Sequence, residues 1–560
     1  METVGWLWVI PTNLQFNPYN PQNYFDVLWS EEFAGFDLPH YLKTGKTRWL
    51  ARGLSEWSFP ENPKEGDTIT LTAPKHPWHN GDSVTADDLY TKMRMESFFN
   101  AKMYDFLKPE SLKKVDDKSV ELEVSTAINR DLLKHYVFGT QQNTKASRYD
   151  KHLEKLETAK KEGRKALEMA KNDVLNYAPS SPIGTGWGKV TKKTSQEIIY
   201  EPYDKHPVGK KANYDQWVMK YSASNQKKWE FAMGQKVDLM ESGTPINIVK
   251  KLVNQRGFDM MRFHYLSGLA LNFNQKYKPF KDVRVRKAIA HAVDQKDAVI
   301  PIKGEWGQVR TVVEAPTGVF VNQDEWLGDD TLTSFSRYSP EEANAKKAAA
   351  LLREAGYSKK DGVWAKNGDV LKLPLKVHGG YSEFVKASQS IQEDLKAADF
   401  DVQLIALSSS KIWTQINNGN YKFSTGNWGM GWHPYFGSQV MTPPTSKGGA
   451  GTQALNYPAT VEVPMPVGDP AGKTKTLNVR ELRSDLATAS SRDDAKKAVK
   501  TLAWVYNQTL PQVPIWRRYG QMFLGNQDAW DWPSMKKWDT YLYLGIDEIF
   551  QRGLVSSETK

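Results

Sequence analysis

This sequence predicts a mixed α/β fold divided into two or three domains. Its 560 residues exceed what one hydrophobic core usually serves. Strand-like and helix-like segments alternate along it: residues 268–274 have the pattern of a strand, and residues 281–296 have the spacing of an amphipathic helix. The composition, 39% hydrophobic and 25% charged, is that of a globular protein.

The first 90 residues predict strands, turns and one capped helix. Residues 5–10 form an apolar strand pattern that leads into a turn-rich loop. Residues 67–72 alternate apolar side chains with threonines, as in a half-buried strand. The Asn80-Gly81 pair predicts a hairpin turn, and Thr85 predicts the N-cap of a helix whose first turn is acidic.

Helices and strands continue to alternate in the second half of the chain. Residues 340–357 predict a helix with early acidic residues, capped by Gly356 at its C-terminus. Residues 382–398 predict an amphipathic helix that leads into a strand at residues 402–405. This alternation predicts a mixed α/β lobe.

The net charge of +10 raises the question of a nucleic-acid partner. The basic residues are mostly interleaved with acidic ones, and in residues 151–165 opposite charges stand three or four positions apart. That spacing is typical of a solvated helix. We therefore predict no nucleic-acid partner, and a peripheral helical excursion over residues 150–176.

Several kinds of chemical site are excluded or disfavoured. The absence of cysteine excludes disulfides, iron–sulfur centres, thiolate zinc sites and cysteine nucleophiles. Residues 182–188 are glycine-rich but lack the Lys-Ser/Thr pair of a phosphate-binding loop. His79, Asp87 and Asp88 would suit a metal ion, but helix capping already accounts for the two acids. The sequence therefore predicts no catalytic residue, no metal and no cofactor.

Several of these segments resemble, in the same order, motifs of the family 5 solute-binding proteins. Residues 281–296, which follow the turn Pro279-Phe280, resemble the family's strand, turn and helix signature. Residues 182–188 resemble its Gly-Thr-Gly turn, with Trp187 where the family usually has proline. An earlier pattern is matched at Leu50, Ala51, Trp57, Trp78, His79, Gly81, Ala86, Asp87 and Asp88.

Members of this family capture peptides, oligosaccharides or nickel complexes for ABC importers. The resemblance thus implies a binding protein and not an enzyme. It implies the two-lobed periplasmic-binding-protein fold (type II, cluster C), with an extra domain in the first lobe and a hinge between the lobes. It places the main domain of lobe I at residues 1–37, 185–265 and 515–560, the extra domain at residues 38–184, and lobe II at residues 266–514.

The ligand of such a protein lies between lobes that close around it. We therefore expect binding residues on the N-terminal strand and loop, on the crossing segment near residues 264–274, and on the loop 426–436 of the second lobe. The predicted ligand-binding residues are Trp6, Trp8, Asn17, His264, Asn272, Asn274, Trp428, Trp432, His433 and Tyr435. A core position for the two N-terminal tryptophans and capping roles for the asparagines are the alternatives.

The loop 426–436 also bears on the kind of ligand. Peptide-binding members carry an aspartate there that holds the peptide's ammonium group, but no carboxylate stands between Trp428 and Tyr435. The aromatic residues favour a neutral, hydroxyl-rich ligand, and some members with this departure bind cello- or manno-oligosaccharides. We predict such an oligosaccharide. An oligopeptide held by Glu31 or Glu32 is the alternative, and a glycoside hydrolase is a remote one.

Partners and location follow from the same resemblance. It implies ABC transporter permease subunits as partners, a monomer, and an extracytoplasmic location. No run approaches the roughly 20 apolar residues of a membrane span, and residues 1–6 lack the features of a signal peptide. We therefore expect that a signal or lipid-anchor segment is missing from this sequence and that the full-length protein is periplasmic or tethered at the cell surface.

Overall fold

A computed structural model describes most of the chain. The described residues are 1–8, 10–20, 26–37, 40, 44, 46–99, 103–212, 214–299, 307–309, 323–338, 342–417, 419–429, 455–465, 473–532 and 556–557. For Trp6, His264 and Trp428 the description extends to the backbone alone.

Helices and strands alternate through these ranges, as the sequence predicts. The strands are β1 (Glu2–Leu7), β2 (Ala34–Phe36), β3 (Trp49–Ala51), β4 (Glu56–Ser58), β5 (Thr68–Thr72), β6 (Lys113–Lys114), β7 (Ser119–Glu123), β8 (Gly188–Lys193), β9 (Glu197–Pro202), β10 (Trp217–Tyr221), β11 (Leu239–Glu241), β12 (Asp259–Phe273), β13 (Gly307–Val309), β14 (Ser358–Lys360), β15 (Val363–Lys366), β16 (Asp369–Val370), β17 (Lys372–His378), β18 (Asp401–Leu407), β19 (Phe423–Gly429), β20 (Thr460–Pro464), β21 (Thr474–Asn478), β22 (Gln512–Leu524), β23 (Trp530–Asp531) and β24 (Ser556–Ser557).

The described α-helices pack against these strands or against one another. They are α1 (Asp26–Trp29), α2 (Ala86–Phe99), α3 (Arg130–Phe138), α4 (Ala146–Glu162), α5 (Arg164–Leu175), α6 (Asn225–Met233), α7 (Ile246–Arg256), α8 (Val283–Ala292), α9 (Gln295–Val299), α10 (Gln323–Leu327), α11 (Asp329–Ser334), α12 (Ala345–Glu354), α13 (Ser382–Ala397), α14 (Ser409–Asn417), α15 (Val479–Thr488) and α16 (Arg492–Thr509). Among the described residues, no helix is both long enough and apolar enough to cross a membrane.

One large sheet runs through the molecule, and its two halves share a pair of long strands. Its order is β18-β17-β19-β12-β22-β11-β1-β10-β9-β8, and β13 also pairs with β22. The long strands β12 and β22 are antiparallel, from Asp259 opposite Leu524 to Asn272 opposite Gln512. Their pairing is irregular between His264 and Gly268, where the two halves meet. Such an irregularity bends a strand and increases its twist.

Separate cores form at the two ends of these long strands. One contains Leu271, Ile289 and Leu375, all fully buried, and it extends through α8, α13 and β17. The other contains Trp187 and Trp217, and it lies around β1 and β8 to β10. The crossing strands thus connect two hydrophobic units directly, which is the two-lobed arrangement that the family resemblance implies.

A smaller sheet, with order β4-β5-β7-β6, belongs to the segment predicted to form the extra domain. Its core includes Trp78, Ile69 and Leu122. That core is continuous with buried side chains of α15 and α16, which the sequence assigns to lobe II. Where they meet, the backbone N–H of Asn129 donates to the carbonyl of Ala487 at 2.6 Å. The domain limits stated above stay a prediction.

Candidate ligand-binding site between the two halves of the sheet

The parallel strands of the two halves present their carboxyl ends to the same gap. In the first half β1 is parallel to β10 and β11, and in the second β17 is parallel to β18 and β19. Trp8 follows β1 directly, and Tyr381 follows β17 after two glycines. Their rings meet edge to face with centroids 5.3 Å apart. Because open α/β sheets bind ligands beyond the carboxyl ends of their strands, this gap is the candidate site.

Aromatic rings continue from Tyr381 into the second half. His378 stacks on Tyr381, with centroids 3.8 Å apart and planes 11° from parallel. Burial lowers the pKa of His378 to about 4, so its ring is neutral at physiological pH. The Nδ1 of His378 accepts a hydrogen bond from the Gly380 N–H at 3.1 Å, which fixes the orientation of the ring. His378 is itself buried, so the uncharged ring surfaces left at the gap are those of the partly exposed Trp8 and Tyr381.

A buried lysine supports the first half of the site. Lys228, 2% exposed, donates from Nζ to the carbonyls of Gly5 and Glu241 at 3.0 and 3.2 Å. Its Nζ also lies 3.4 Å from the centroid of the Trp8 ring, a cation–π contact. Gly5 has φ of +146°, and a Cβ there would lie 2.7 Å from the Glu241 carbonyl oxygen. Glycine is therefore required for β1 and β11 to approach this closely.

A second contact joins the halves beside the aromatic rings. The Nδ2 of Asn225, at the start of α6, donates to Oε2 of Glu383 at 2.9 Å, and both side chains are buried. Gly243 leaves room for this contact, because a Cβ there would lie 2.8 Å from both the Asn225 amide and the Glu383 carboxylate. The two halves therefore touch directly, through a hydrogen bond that is charge-assisted.

The residues predicted to bind ligand fall into four groups, of which the three asparagines are the last. Trp8 lies in the gap. Trp6, His264 and Trp428 lie on β1, β12 and β19, with only their backbones described, and Trp428 pairs with Gly268 of the crossing strand. The remaining loop residues fall outside the described ranges; they are Trp432, His433 and Tyr435.

The three predicted asparagines are buried and hold the backbone. Asn17 donates to the carbonyls of Val174 and Tyr177 at 2.6 and 2.9 Å, which fixes the N-terminal loop to the end of α5. Asn274 donates to Tyr421 at 2.6 Å and accepts from Asn456 at 2.8 Å. Asn272 is fully buried and accepts from Gln512 on the neighbouring strand. Asn17 and Asn274 also accept from the N–H groups of Tyr19 and Lys276 two residues on, which is the local turn role that the sequence left open as an alternative. Ligand binding by these asparagines stays a prediction.

Sequence reasoning missed Lys228, Tyr381, Asn225 and Glu383. The only local signal was the Gly379-Gly380 pair before the helix that was predicted correctly at residues 382–398. Two glycines between a strand and a helix allow a close approach, and a Cβ on Gly380 would lie 3.1 Å from the Ala223 carbonyl oxygen of the other half.

Comparison with known proteins identifies the family to which this two-lobed chain belongs. The profile of the bacterial extracellular solute-binding proteins, family 5 (middle region), matches residues 57–449. The chain belongs to this family. Its members are extracellular binding proteins, so the family resemblance drawn from the sequence motifs is confirmed.

Two curated relatives of this solute-binding protein align over a limited region. The oligopeptide-binding protein AppA of Bacillus subtilis (strain 168) is 28% identical over 169 residues, which are 30% of this chain and 29% of AppA. The dipeptide-binding protein of Escherichia coli (strain K12) is 27% identical over 180 residues, 32% of this chain and 31% of the relative. The aligned region thus spans less than a third of either relative.

Solved structures match the whole fold. An oligopeptide ABC transporter periplasmic binding protein of Thermotoga maritima, bound to mannohexaose, has a TM-score of 0.76 at 16% identity, with 100% of this chain and 99% of that one covered. AppA with a nonapeptide has a TM-score of 0.70 at 16% identity, with 100% and 99% covered. NikZ of Campylobacter jejuni with Ni(L-His) has a TM-score of 0.70 at 16% identity, with 99% of each chain covered. These likenesses confirm the predicted fold class and leave the ligand open.

Proposed function

We propose that this protein captures an oligosaccharide of the cello- or manno-type between its two lobes and delivers it to an ABC importer. The observation that carries the proposal is the aromatic lining of the gap, where Trp8 and Tyr381 meet and His378 stacks behind them. Sugar rings expose flat C–H faces that pack on aromatic faces. The loop 426–436 adds aromatic residues and no carboxylate.

Two carboxylates that could hold a peptide ammonium group are already paired within the protein, which supports a neutral ligand. Glu383 accepts from Asn225 within the protein. Glu31, considered above as a partner for a peptide ammonium group, is 5% exposed and accepts from Nε2 of His206 at 3.0 Å. A buried carboxylate that is already paired loses its hydrogen bonds if it turns toward a ligand. Glu31 is therefore a poor anchor for a peptide.

Delivery follows from the closure of the lobes. A ligand that touches both halves favours the closed form, because only that form provides both sets of contacts. The importer then distinguishes the loaded protein by its closed shape. We propose ABC permease subunits as partners, and a monomer that acts outside the cytoplasm, either free or tethered at the membrane.

Calorimetric titration with cellobiose, cellotetraose, mannobiose and xylobiose tests the proposal, with tryptophan fluorescence recorded in parallel. We expect one class of sugar to bind with a fluorescence change, and Trp8→Ala to weaken that binding by about tenfold or more. Trp504→Phe is the matched control, since Trp504 lies on α16 and its indole donates to the Pro464 carbonyl. A sugar that binds Trp8→Ala as tightly as the original protein would remove Trp8 from the site.

An oligopeptide is the second candidate ligand, because both aligned curated relatives are named as peptide-binding proteins. A mixed library of tripeptides to pentapeptides tests it in the same titration. Peptide binding without any response to sugars would replace the oligosaccharide proposal by this one. Heat release that continues as slow turnover would instead indicate hydrolysis.

A further inference from the structure

Three buried polar side chains meet inside the first half of the molecule, away from the contacts that cross the gap. Glu31 follows α1, His76 follows β5, and His206 follows β9, so three distant segments of the chain supply them. Their exposed fractions are 5%, 8% and 4%. Buried ionisable groups are costly unless they are paired or coordinate a metal.

The pairing within this cluster is incomplete. His206 Nε2 donates to Glu31 Oε1 at 3.0 Å. The second oxygen, Glu31 Oε2, faces His76 Nε2 at 3.6 Å, and both of these atoms are buried without a hydrogen-bond partner. A cation between the carboxylate oxygen and the imidazole nitrogen would satisfy both buried atoms.

We propose that Glu31, His76 and His206 form a binding site for a first-row divalent transition-metal ion, with Zn²⁺ as the representative. Two donors bound to a tetrahedral zinc ion lie about 3.4 Å from each other. His206 Nε2 lies 3.0 Å from Glu31 Oε1, and His76 Nε2 lies 3.6 Å from the other carboxylate oxygen, Oε2. One donor atom of each residue lies within 4.8 Å of the other two, so one ion can reach all three residues after small side-chain shifts. Imidazole and carboxylate donors suit zinc, nickel or cobalt better than magnesium or calcium.

Binding would move one proton within the His206 ring and break one hydrogen bond. In the metal-free protein His206 Nδ1 accepts from the Val208 N–H at 3.1 Å, so the proton of the neutral ring lies on Nε2. A metal at Nε2 takes the place of that proton. A neutral metal-bound imidazole carries its proton on Nδ1, so the Val208 contact must open. The proton moves within the ring and is not released, and the loss of the Val208 hydrogen bond should lower the affinity relative to a site with no such cost.

A neighbouring histidine is excluded from the metal's ligands. His79 lies outside the group of donor atoms that come within 4.8 Å of one another, and its Nε2 donates to the Gly186 carbonyl at 2.7 Å. The open coordination position would be left to water. The ion would link the segment predicted as the extra domain, through His76, to the main part of lobe I, through Glu31 and His206. This gives the site a structural role that is independent of the ligand in the gap.

Titration of chelator-treated, tag-free protein with ZnCl₂ tests the proposal, with ICP mass spectrometry for stoichiometry. We expect one tight Zn²⁺ per chain, a rise in melting temperature with Zn²⁺, and no effect of Mg²⁺. His76→Ala, His206→Ala and Glu31→Gln should each weaken Zn²⁺ binding by more than about 100-fold. His152→Ala, on α4, is the matched control and should bind Zn²⁺ like the original protein.

Two further measurements keep the outcome clear if a variant folds poorly. When the original protein is loaded with Co²⁺, its visible spectrum should show the absorption bands of a Co²⁺ ion bound at low coordination number by nitrogen and oxygen donors. Added Zn²⁺ should displace the Co²⁺ and remove these bands. Sugar titrations should be unchanged in Glu31→Gln, which separates this site from the proposed function. The proposed site would be wrong if a folded His76→Ala/His206→Ala protein bound Zn²⁺ as tightly as the original protein, or if the original protein bound none. The three side chains would then form a hydrogen-bonded network with a buried water.

Discussion

The amide of Asn225 and the carboxylate of Glu383 lie 2.9 Å apart across the gap between the two halves of the sheet. One residue begins α6 of the first half, and the other lies in the first turn of α13 of the second half. Both are buried, so the bond is protected from water. Because it exists only when the halves touch, it contributes to the closed form and to no other.

Asn225→Ala should therefore shift the free protein toward open conformations. A hydrogen bond to a charged group contributes about 1.5–3 kcal/mol, so we expect ligand affinity to fall by roughly tenfold or more. Small-angle scattering of the free protein and calorimetry with the ligand check this. Gln226→Ala, one residue along on the exposed face of α6, should leave both unchanged. An equal radius of gyration for Asn225→Ala and the original protein would mean that the bond does not hold the halves together.

Asp88→Asn should destabilise the segment predicted as the extra domain. The carboxylate accepts from the Trp78 indole at 2.9 Å, from the Thr85 N–H at 3.0 Å, and from the Ala146 N–H at 2.9 Å. An amide has one accepting oxygen, so at least one buried donor would lose its partner, at a cost of about 1–3 kcal/mol. Urea denaturation measures the change.

Asp87→Asn is the control for that experiment. Asp87 lies beside Asp88 on α2, but its side chain is 61% exposed and pairs with Lys114 at 2.5 Å on the surface. Exposed ion pairs contribute little to stability, so we expect a change below about 1 kcal/mol. If the two variants lost equal amounts of stability, the negative charge near the N-terminus of α2, and not the hydrogen bonds from the three donors, would account for the contribution of Asp88.

The sequence predicted local elements well, because local spacing and capping determine them. The helix predicted at residues 382–398 is α13 (Ser382–Ala397). The helix predicted at residues 281–296 begins at Val283, where Asp282 caps it through the Arg284 N–H, and it breaks after Ala292 before α9. The helix predicted at residues 340–357 begins only at Ala345, because the Asn344 side chain caps it through the Lys347 N–H.

The parts that sequence reasoning missed depend on contacts between distant segments. Asp88 was predicted to favour a helix N-terminus, and it does, but its bonds to Trp78 and to the start of α4 required the packed domain. His76 and His206 were not associated with each other or with Glu31, because no spacing relates them. The roles of Asn17 and Asn274 likewise rest on carbonyls far away in the chain.

Gly184→Ala should severely destabilise the protein, and this prediction tests the Gly-Thr-Gly turn that resembles the family motif. An ideal Cβ at Gly184 would lie 1.6 Å from the Trp29 carbonyl oxygen, which belongs to backbone and cannot move aside cheaply. We expect a loss of several kcal/mol, about 3 or more, or failure to fold. Gly139→Ala is the control, because Gly139 is exposed at the end of α3 with an ordinary φ of −68°, and a Cβ there would lie 3.3 Å from the His135 carbonyl oxygen, a contact that a small shift relieves. A soluble, normally stable Gly184→Ala protein would contradict the close packing of this turn on α1.

Acid should reduce the stability of this protein partly through His79, whose neutral ring donates to Gly186 and whose pKa burial lowers to about 4. The unfolded chain has its histidine pKa near about 6.5. Between these two values the unfolded state binds the extra proton, so the free energy of unfolding rises with pH in that window and levels off above it. A shift of this size corresponds to at most about 3 kcal/mol.

His79→Gln keeps a donor for the Gly186 carbonyl and removes the titrating ring. Urea denaturation at about pH 7 and about pH 5 should therefore show a smaller acid loss for His79→Gln than for the original protein, whereas identical losses would assign the pH dependence to other groups.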